Sequence, residues 1–383
     1  MACFALWGIS LCFSTGIPVV WPLFLGPTIA FLVLIGLKLY DRLSERNLIW
    51  LMMGLGFWLR LCYVLYTTVD TRQHDVWGFS EAFTDFTYYR HGEYIQYIAT
   101  HLKLPEVDPT LVGLSQVYHP PLHHLLAGLW LRLNLTLGVP FAQACENIQF
   151  LTLFYSTLCT VFGYKTLQLL KVKGKALMVG TAILSFHPTL TILAGSVNND
   201  VLCTALSFFA VYATVRWYQN PTIKNILAIA FGLGFAMMTK LSAGLLAPAI
   251  AFVFVYRWWK SYGEGCFGKT TVQFLLFGLI CVPLGLWWPV KNAVLYGIPI
   301  NYVPALSADS GQYLGGYSVI QRLFGCPKES LSQIFMCWTE QNGAPYNEYG
   351  SLLALLKTSL FGEFTLFSSG TIGETACKIL FYV

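Results

Sequence analysis

The chain has 383 residues, 56% of them hydrophobic and 11% charged, with a formal net charge of +5. A soluble domain carries roughly 25% charged residues, and a mean hydropathy of +0.60 points instead to a protein that takes the bilayer as its solvent. The modest charge gives no reason to invoke nucleic acid, and with no CxxC pair the eleven cysteines do not suggest a zinc knuckle.

A spanning helix needs about 20 apolar residues. The opening MACFALWGISLCFSTG lacks a basic stretch and is not read as a cleavable leader, and Cys3–Cys12 is short for a span. Ile17–Leu39 is predicted to span, followed by the polar turn DRLSERN with Arg42 and Arg46. Leu48–Tyr66 is the next span, and its Arg60 is expected to pair with an acid inside the bundle. Phe150–Leu170 precedes KVKGK, Ala176–Ala194 reaches the turn GSVNND, and Val201–Val215 ends at Arg216. Ile226–Met238 leads to Thr239-Lys240, Leu245–Tyr256 ends at Arg257 and Lys260, and Phe274–Pro289 lies between Lys269 and Lys291. Cys12, Cys62, Cys159, Cys203 and Cys281 fall in these runs and read as small hydrophobes. Cys326 and Cys337 share a later polar loop, where they could pair in an oxidising compartment. The final CKILFYV stops inside a fresh apolar run, so the last helix reads as incomplete.

The excess of Lys and Arg in cytoplasmic turns orients the spans. With DRLSERN inside, KVKGK, the Arg216–Lys224 turn and the Arg257–Lys269 turn are inside too, and GSVNND falls outside with no Lys or Arg. This holds only if Pro121–Leu137, with His123, His124, Arg132 and Asn134, does not span. It is read as an amphipathic helix lying in the outer interface. Tyr88–Leu102 is read the same way, with Tyr89, Ile95, Ile98 and Leu102 at helical spacing. The expected fold is an all-α polytopic membrane protein. It has an N-terminal membrane segment over 1–47 and a transmembrane core over 48–290, with a long outer loop over 67–147. A further extracytoplasmic region occupies 291–383.

The outer loop concentrates the titratable groups. Asp75, in RQHDV, follows the Leu48–Tyr66 span closely enough to sit at the water–lipid boundary. A carboxylate there can take a proton from an acceptor hydroxyl or hold a metal; Asp70, Glu81, Asp85 and Glu93 compete for the role. His119, His123 and His124, in YHPPLHH, resemble one box of a membrane di-iron oxidase, but His74, His91, His101 and His187 form no second box. The plainer reading is a helix opened by Pro120 and Pro121. In the outer turn Asn198-Asn199-Asp200, Asp200 can cap the next helix. The turn is short, so Asp200 should lie at the depth of Asp75, where two acids could bind a divalent cation or divide catalytic roles. Lys240 lies between two apolar runs, where a lysine either snorkels or meets an anion such as a lipid phosphate. Lys291, in WWPVKN, is a similar candidate. The sequon at Asn134 is discounted because it lies in the interfacial helix.

An acid after the first core span, a surface helix opened by HPPL, an acid in a short outer turn, Thr-Lys between two spans and Pro-Val-Lys-Asn after a later one together resemble GT-C glycosyltransferases. The nearest branch resembles bacterial relatives of dolichyl-phosphate-mannose–protein mannosyltransferases and of lipid A aminoarabinose transferases, over Leu48–Pro304. The resemblance implies a GT-C-like bundle and a polyprenyl-phosphate sugar as donor. It places the catalytic acids on Asp75 and Asp200 and the donor phosphate near His119 and Lys240, with Lys291 close by. His74, Glu93, His123 and Asn199 would support them. It implies an acceptor glycan, lipid or protein at the extracytoplasmic face of a cell envelope, and a divalent cation could sit at Asp75 and Asp200. Val76 stands where the family often has a second acid, and the family's later spans are missing from the sequence. The alternative is a transporter or flippase of lipid-linked sugars. Transporters usually show inverted repeats and midplane polar groups, whereas the polar groups here collect at one face.

Overall fold

The computed structural model describes residues 20–87, 90–106, 116–300, 316–326, 349–362 and 370–383. The segment Cys3–Cys12, Tyr88, Tyr89 and Cys337 lie outside the described residues, so the first short segment and the Cys326–Cys337 pairing are not described. Among the described residues the chain is helical, without a strand, and it forms two units. The first holds residues 1–186 and 193–302, the second 187–192 and 303–383.

The first unit is built from α1 (Val20–Leu39), α2 (Glu45–Tyr66), α3 (His91–His101), α4 (Leu122–Thr136), α5 (Phe141–Glu146), α6 (Gln149–Leu169), α7 (Gly174–Phe186), α8 (Pro188–Gly195, which continues out of the second unit), α9 (Asp200–Gln219), α10 (Ile223–Thr239), α11 (Ala247–Gly263) and α12 (Phe267–Tyr296). Among the described residues five stretches are long and apolar enough to cross a membrane: Glu45–Tyr66, Gly174–Gly195, Asp200–Gln219, Leu241–Gly263 and Phe267–Tyr296. The protein is thus an all-α polytopic membrane protein. Helix α6 is also 21 residues long, but its buried face carries Gln149, Thr152, Ser156 and Thr160. It runs through the middle of the bundle and bonds to its neighbours instead of facing lipid.

Side-chain bonds sort the helix ends into two groups. The Gly174 N–H donates to Glu45 Oε1 (3.1 Å), Gln219 Nε2 to the Leu169 carbonyl (2.6 Å), and Gln273 Nε2 to the Pro221 carbonyl (3.1 Å). These bonds gather the turns that contain Arg42, Arg46, Lys171, Lys173, Lys175, Arg216, Lys224 and Lys269 at one end of the bundle. At the opposite end Gln149 Nε2 donates to the Thr67 carbonyl (3.3 Å) and Asn198 Nδ2 to the His74 carbonyl (3.1 Å). Asn199 Nδ2 donates to the Thr239 carbonyl (3.2 Å) and Trp288 Nε1 to the Tyr118 carbonyl (3.1 Å).

Arg60 does not pair with an acid. It is 1% exposed, and Nη2 donates to the Leu184 carbonyl at 2.8 Å. The cause is Pro188: four residues on, it has no N–H to give, so the Leu184 carbonyl is left over from the helix ladder. Thr160 Oγ1 shares the same acceptor at 3.2 Å.

The two loop helices divide the work. α4 packs on α3 through Ala127, Gly128 and Leu131, and a Cβ on Gly128 would lie 2.8 Å from Ile98 Cβ. Its far side exposes Leu126, Leu129, Leu133 and Leu137, a stripe at helical spacing that suits a membrane interface. α3 departs from the expected one-sided helix. His91–Ala99 are all buried, because the loop before it folds across its other face: Gln96 Nε2 donates to the Ser80 carbonyl at 2.6 Å. Asn134 is buried and accepts from Asn147 Nδ2 at 2.8 Å, so its sequon is closed to modification.

The second unit contains α13 (Val319–Phe324), α14 (Ser351–Phe361) and α15 (Ile372–Tyr382). Thr189 Oγ1 contacts the carbonyls of Thr358 (2.7 Å) and Ser359 (2.6 Å), and Ser359 Oγ meets His187 Nε2 at 3.1 Å.

Helices α2 and α7 touch at Gly56, where a Cβ would lie 2.4 Å from the Ser185 carbonyl oxygen. Gly54, one turn's fraction away, has open space around it. Gly56→Ala should therefore cost about 1–3 kcal/mol and lower the thermal unfolding midpoint in detergent, while Gly54→Ala should leave it unchanged or raise it.

Candidate active site

The site grows from the loop after α2. His74 closes a short 3-10 turn, Arg72–His74, and its buried ring meets Tyr63 Oη at 3.2 Å. The ring fills space that a side chain at residue 195 would need, since a Cβ on Gly195 would lie 2.6 Å from His74 Nε2. The His74 carbonyl accepts from Asn198 Nδ2, and Asn198 Oδ1 accepts from the Asp200 N–H at 3.0 Å. One asparagine therefore joins the turn before Asp75 to the turn before Asp200. Burial pushes the His74 imidazole down to about 4, so it stays neutral as a brace.

Asp75 and Asp200 lie near enough for the charge of one to act on the other. Burial raises the Asp75 carboxyl above its ordinary value, and the Asp200 charge raises it further, against the opposing pull of Lys240 and Arg90. Asp200 is the first residue of α9, with Asn199 at the capping position. Its side chain is not spent on a cap: Oδ1 meets Lys240 Nζ at 2.5 Å. Lys240 is the C-terminal cap of α10. Burial lowers the Lys240 pKa, but the Asp200 carboxylate more than reverses this, and the ammonium is held above its usual range. The Asn199 bond to the Thr239 carbonyl keeps the two helix ends in register.

Four histidines pack beside this pair. His91, at the start of α3, meets His124 Nε2 through Nδ1 at 2.8 Å. Its ring lies parallel to those of His124 and His119, with centroids 5.1 and 5.8 Å away. His123 stands edge-on to His124. Burial lowers all four: His91 to about 3, His123 to about 4, and His119 and His124 well below the usual imidazole range. His119 thus departs from the cationic ring that the expected phosphate-binding role suggests: burial favours its neutral form. His91 and His124 are the residues the sequence reading did not single out for the site. The paired His123-His124 gave a signal, but nothing local said which of the two would turn toward His91.

The remaining expected residues fall around this core. Lys291 lies over the Trp288 ring at 4.3 Å, and Trp288 in turn holds the carbonyl of Tyr118, the residue before His119. Glu93 is used locally: it accepts from the Thr87 and Arg90 N–H groups, both at 3.2 Å, and so opens α3. His101 bonds the carbonyl of Tyr97 in its own helix (3.1 Å), away from the other rings.

No group of three or more His, Cys, Asp or Glu among the described residues is arranged to hold a metal ion. The histidines stack face to face, and Asp200 is engaged by Lys240. The stacked histidines therefore do not form a di-iron cage of three or more ligands among the described residues.

Comparison with curated proteins and with solved structures gives no match. The model of the family described as dolichyl-phosphate-mannose-protein mannosyltransferase matches residues 118–288, from Tyr118 of the HPPL loop to Trp288 of α12. That family implies a membrane glycosyltransferase with a lipid-linked sugar donor and an acceptor in a membrane. Over residues 118–288 the chain is similar to the dolichyl-phosphate-mannose-protein mannosyltransferases, a family of GT-C type.

Proposed function

We propose that the protein transfers a sugar from a polyprenyl-phosphate donor to an acceptor hydroxyl at the extracytoplasmic membrane face, with inversion at the anomeric carbon. The observation that carries this reading is the meeting of Asp75, with its raised pKa, and the Asp200–Lys240 pair at one end of the bundle. The basic turns lie at the other end, which supports placing the site outside.

The chemistry follows from the charges. The acceptor oxygen attacks the anomeric carbon, the bond from that carbon to the phosphate oxygen breaks, and polyprenyl phosphate leaves. The acceptor proton passes to the Asp75 carboxylate. A carboxyl whose pKa is raised toward the working pH is a better base than an ordinary aspartate. The phosphate gains charge as it leaves, and Lys240 is the cation at hand. One of its ammonium hydrogens is directed to Asp200, which leaves two for phosphate oxygens. His119 contributes a neutral ring N–H, and Lys291 stands further out over Trp288. The isoprenoid tail stays in the bilayer, which is why the reacting groups must sit at membrane depth. No step is assigned to a metal.

Transfer should be measured with the purified protein in detergent, using a polyprenyl-phosphate sugar and an acceptor alcohol. Asp75→Asn should reduce kcat by about 10²–10⁴-fold, and Lys240→Met by about 10²–10³-fold. Lipid-linked sugar that crosses liposome membranes without forming a new glycosidic bond, in a protein indifferent to Asp75→Asn, would overturn the reading in favour of transport.

The pH profile gives a signed prediction. Asp75 must be ionised to act, so kcat/KM should fall as pH drops through its raised pKa, above the ordinary aspartate range. Asp200→Asn removes a charge that raises this pKa, so the acidic limb of the residual activity should move to lower pH. Lys240→Met removes a charge that lowers it, so that limb should move to higher pH.

A further inference from the structure

The strand of chain beyond Asp75 adopts a backbone that side chains rarely accept. Asp75 (φ 49°), Trp77 (φ 44°) and Gly78 (φ 99°) are all left-handed, and only glycine takes that region freely. The first turn of α3 holds them there. The Gly92 N–H donates to the carbonyls of Trp77 (3.0 Å) and Val76 (3.4 Å). Residue 92 has to be glycine for this, since a Cβ would lie 2.5 Å from the Trp77 carbonyl oxygen. The result is a sharp alternation: Val76 is 1% exposed, and Trp77 is turned outward at 44%.

That outward turn needs a reason. Between Tyr66 and Leu102, Trp77 is the one large hydrophobic side chain exposed among the described residues. Apart from the small Ala82, the exposed residues near it in sequence are polar: Asp75, Ser80, Glu81, Thr84, Asp85, Thr87 and Arg90. A tryptophan that only anchors a protein in headgroups needs no special backbone and would keep apolar company, as the leucine stripe of α4 does. The Arg90 guanidinium lies over the indole, 5.7 Å from the ring centroid. Arg90 is also near enough to Asp75 for its charge to act on that carboxylate. Indole, guanidinium and carboxylate therefore share one rim.

We propose that Trp77, backed by Arg90, is the platform on which a pyranose ring stacks beside Asp75. An indole presents a flat apolar face with a negative quadrupole. The axial C–H face of a sugar is apolar and slightly positive, and it fits that surface without demanding hydrogen bonds. Arg90 stiffens the ring by a cation–π contact and offers N–H donors to sugar hydroxyls. The pyranose belongs either to the donor or to a glycan acceptor. The inference rests on the proposed role of Asp75 as the base.

The test compares the full-length protein with Trp77→Ala and Trp77→Tyr in detergent. Binding of bare polyprenyl phosphate and of polyprenyl-phosphate sugar is measured directly, alongside KM for a sugar acceptor. The wild type should bind both lipids. Trp77→Ala should keep its affinity for the bare lipid phosphate. It should lose about tenfold either in affinity for the sugar-bearing lipid, which assigns the platform to the donor, or in acceptor KM, which assigns it to the acceptor. That factor of ten corresponds to about 1.4 kcal/mol. Trp77→Tyr, which keeps a ring, should recover most of the loss. Equal weakening toward both lipids would reduce Trp77 to a membrane anchor and overturn the proposal, as would no change in either arm. A wild type that binds neither lipid would overturn the phosphate-site reading itself, and the platform with it.

Discussion

Lys240 and Asp200 meet where α10 ends and α9 begins, and the two helices pack side by side in opposite directions. Charged groups at membrane depth are costly unless paired, so each of them depends on the other. The helix ends add to this. Asp200 opens α9, where the macrodipole favours a negative charge, and Lys240 closes α10, where it favours a positive one. The pair is therefore fixed by its partner, by two dipoles and by the Asn199 bond to the Thr239 carbonyl. A lysine so firmly held can keep spare hydrogens directed at a third party without losing its place.

The histidines answer a different constraint. Rings stacked 5.1 and 5.8 Å apart, with His91 and His124 buried and His119 partly so, cannot all carry charge. They form a neutral wall, with the His91–His124 bond joining the starts of α3 and α4. The positive charge of the site is thereby carried by Lys240, Lys291 and Arg90 instead of by imidazoles. An anion entering there meets a localised cation next to polar but uncharged donors, which suits a phosphate that must be released after the reaction.

How far the chain announced this arrangement depends on the range of the interactions. In lipid a helix must satisfy its own backbone, so apolar runs are nearly sufficient evidence for spans. Leu48–Tyr66 became Glu45–Tyr66, extended by the Ser44 cap, and Ala176–Ala194 became Gly174–Gly195, interrupted by Pro188. That Asp75 and Asp200 would be neighbours was legible because both follow the same end of the bundle, Asp200 in a short turn and Asp75 soon after α2. The Arg60 contact was not, because its acceptor is a backbone carbonyl 124 residues away, freed by a proline on another helix. The full burial of α3 was hidden for a similar reason. Periodicity within the helix marks one apolar face, whereas the other is covered by residues near Ser80 that no helical pattern could reveal. His91 and His124 lie 33 residues apart on separate helices, and their pairing follows from how α3 crosses α4.

The link from Tyr63 through His74 and Asn198 to Asp200 decides how the site behaves as a unit. It fixes the base-bearing loop to the same turn that carries the ion pair. Burial lowers the His74 imidazole to about 4, and neither its bond to Tyr63 nor the bond at its carbonyl needs a charged ring. The strained segment from Asp75 to Gly78 needs this rigidity. Its left-handed residues would relax if either the Asn198 tie on one side or the Gly92 clamp on the other were lost. Asp75 and the exposed indole thus share one braced loop, which the Asn198 tie joins to the turn of the ion pair.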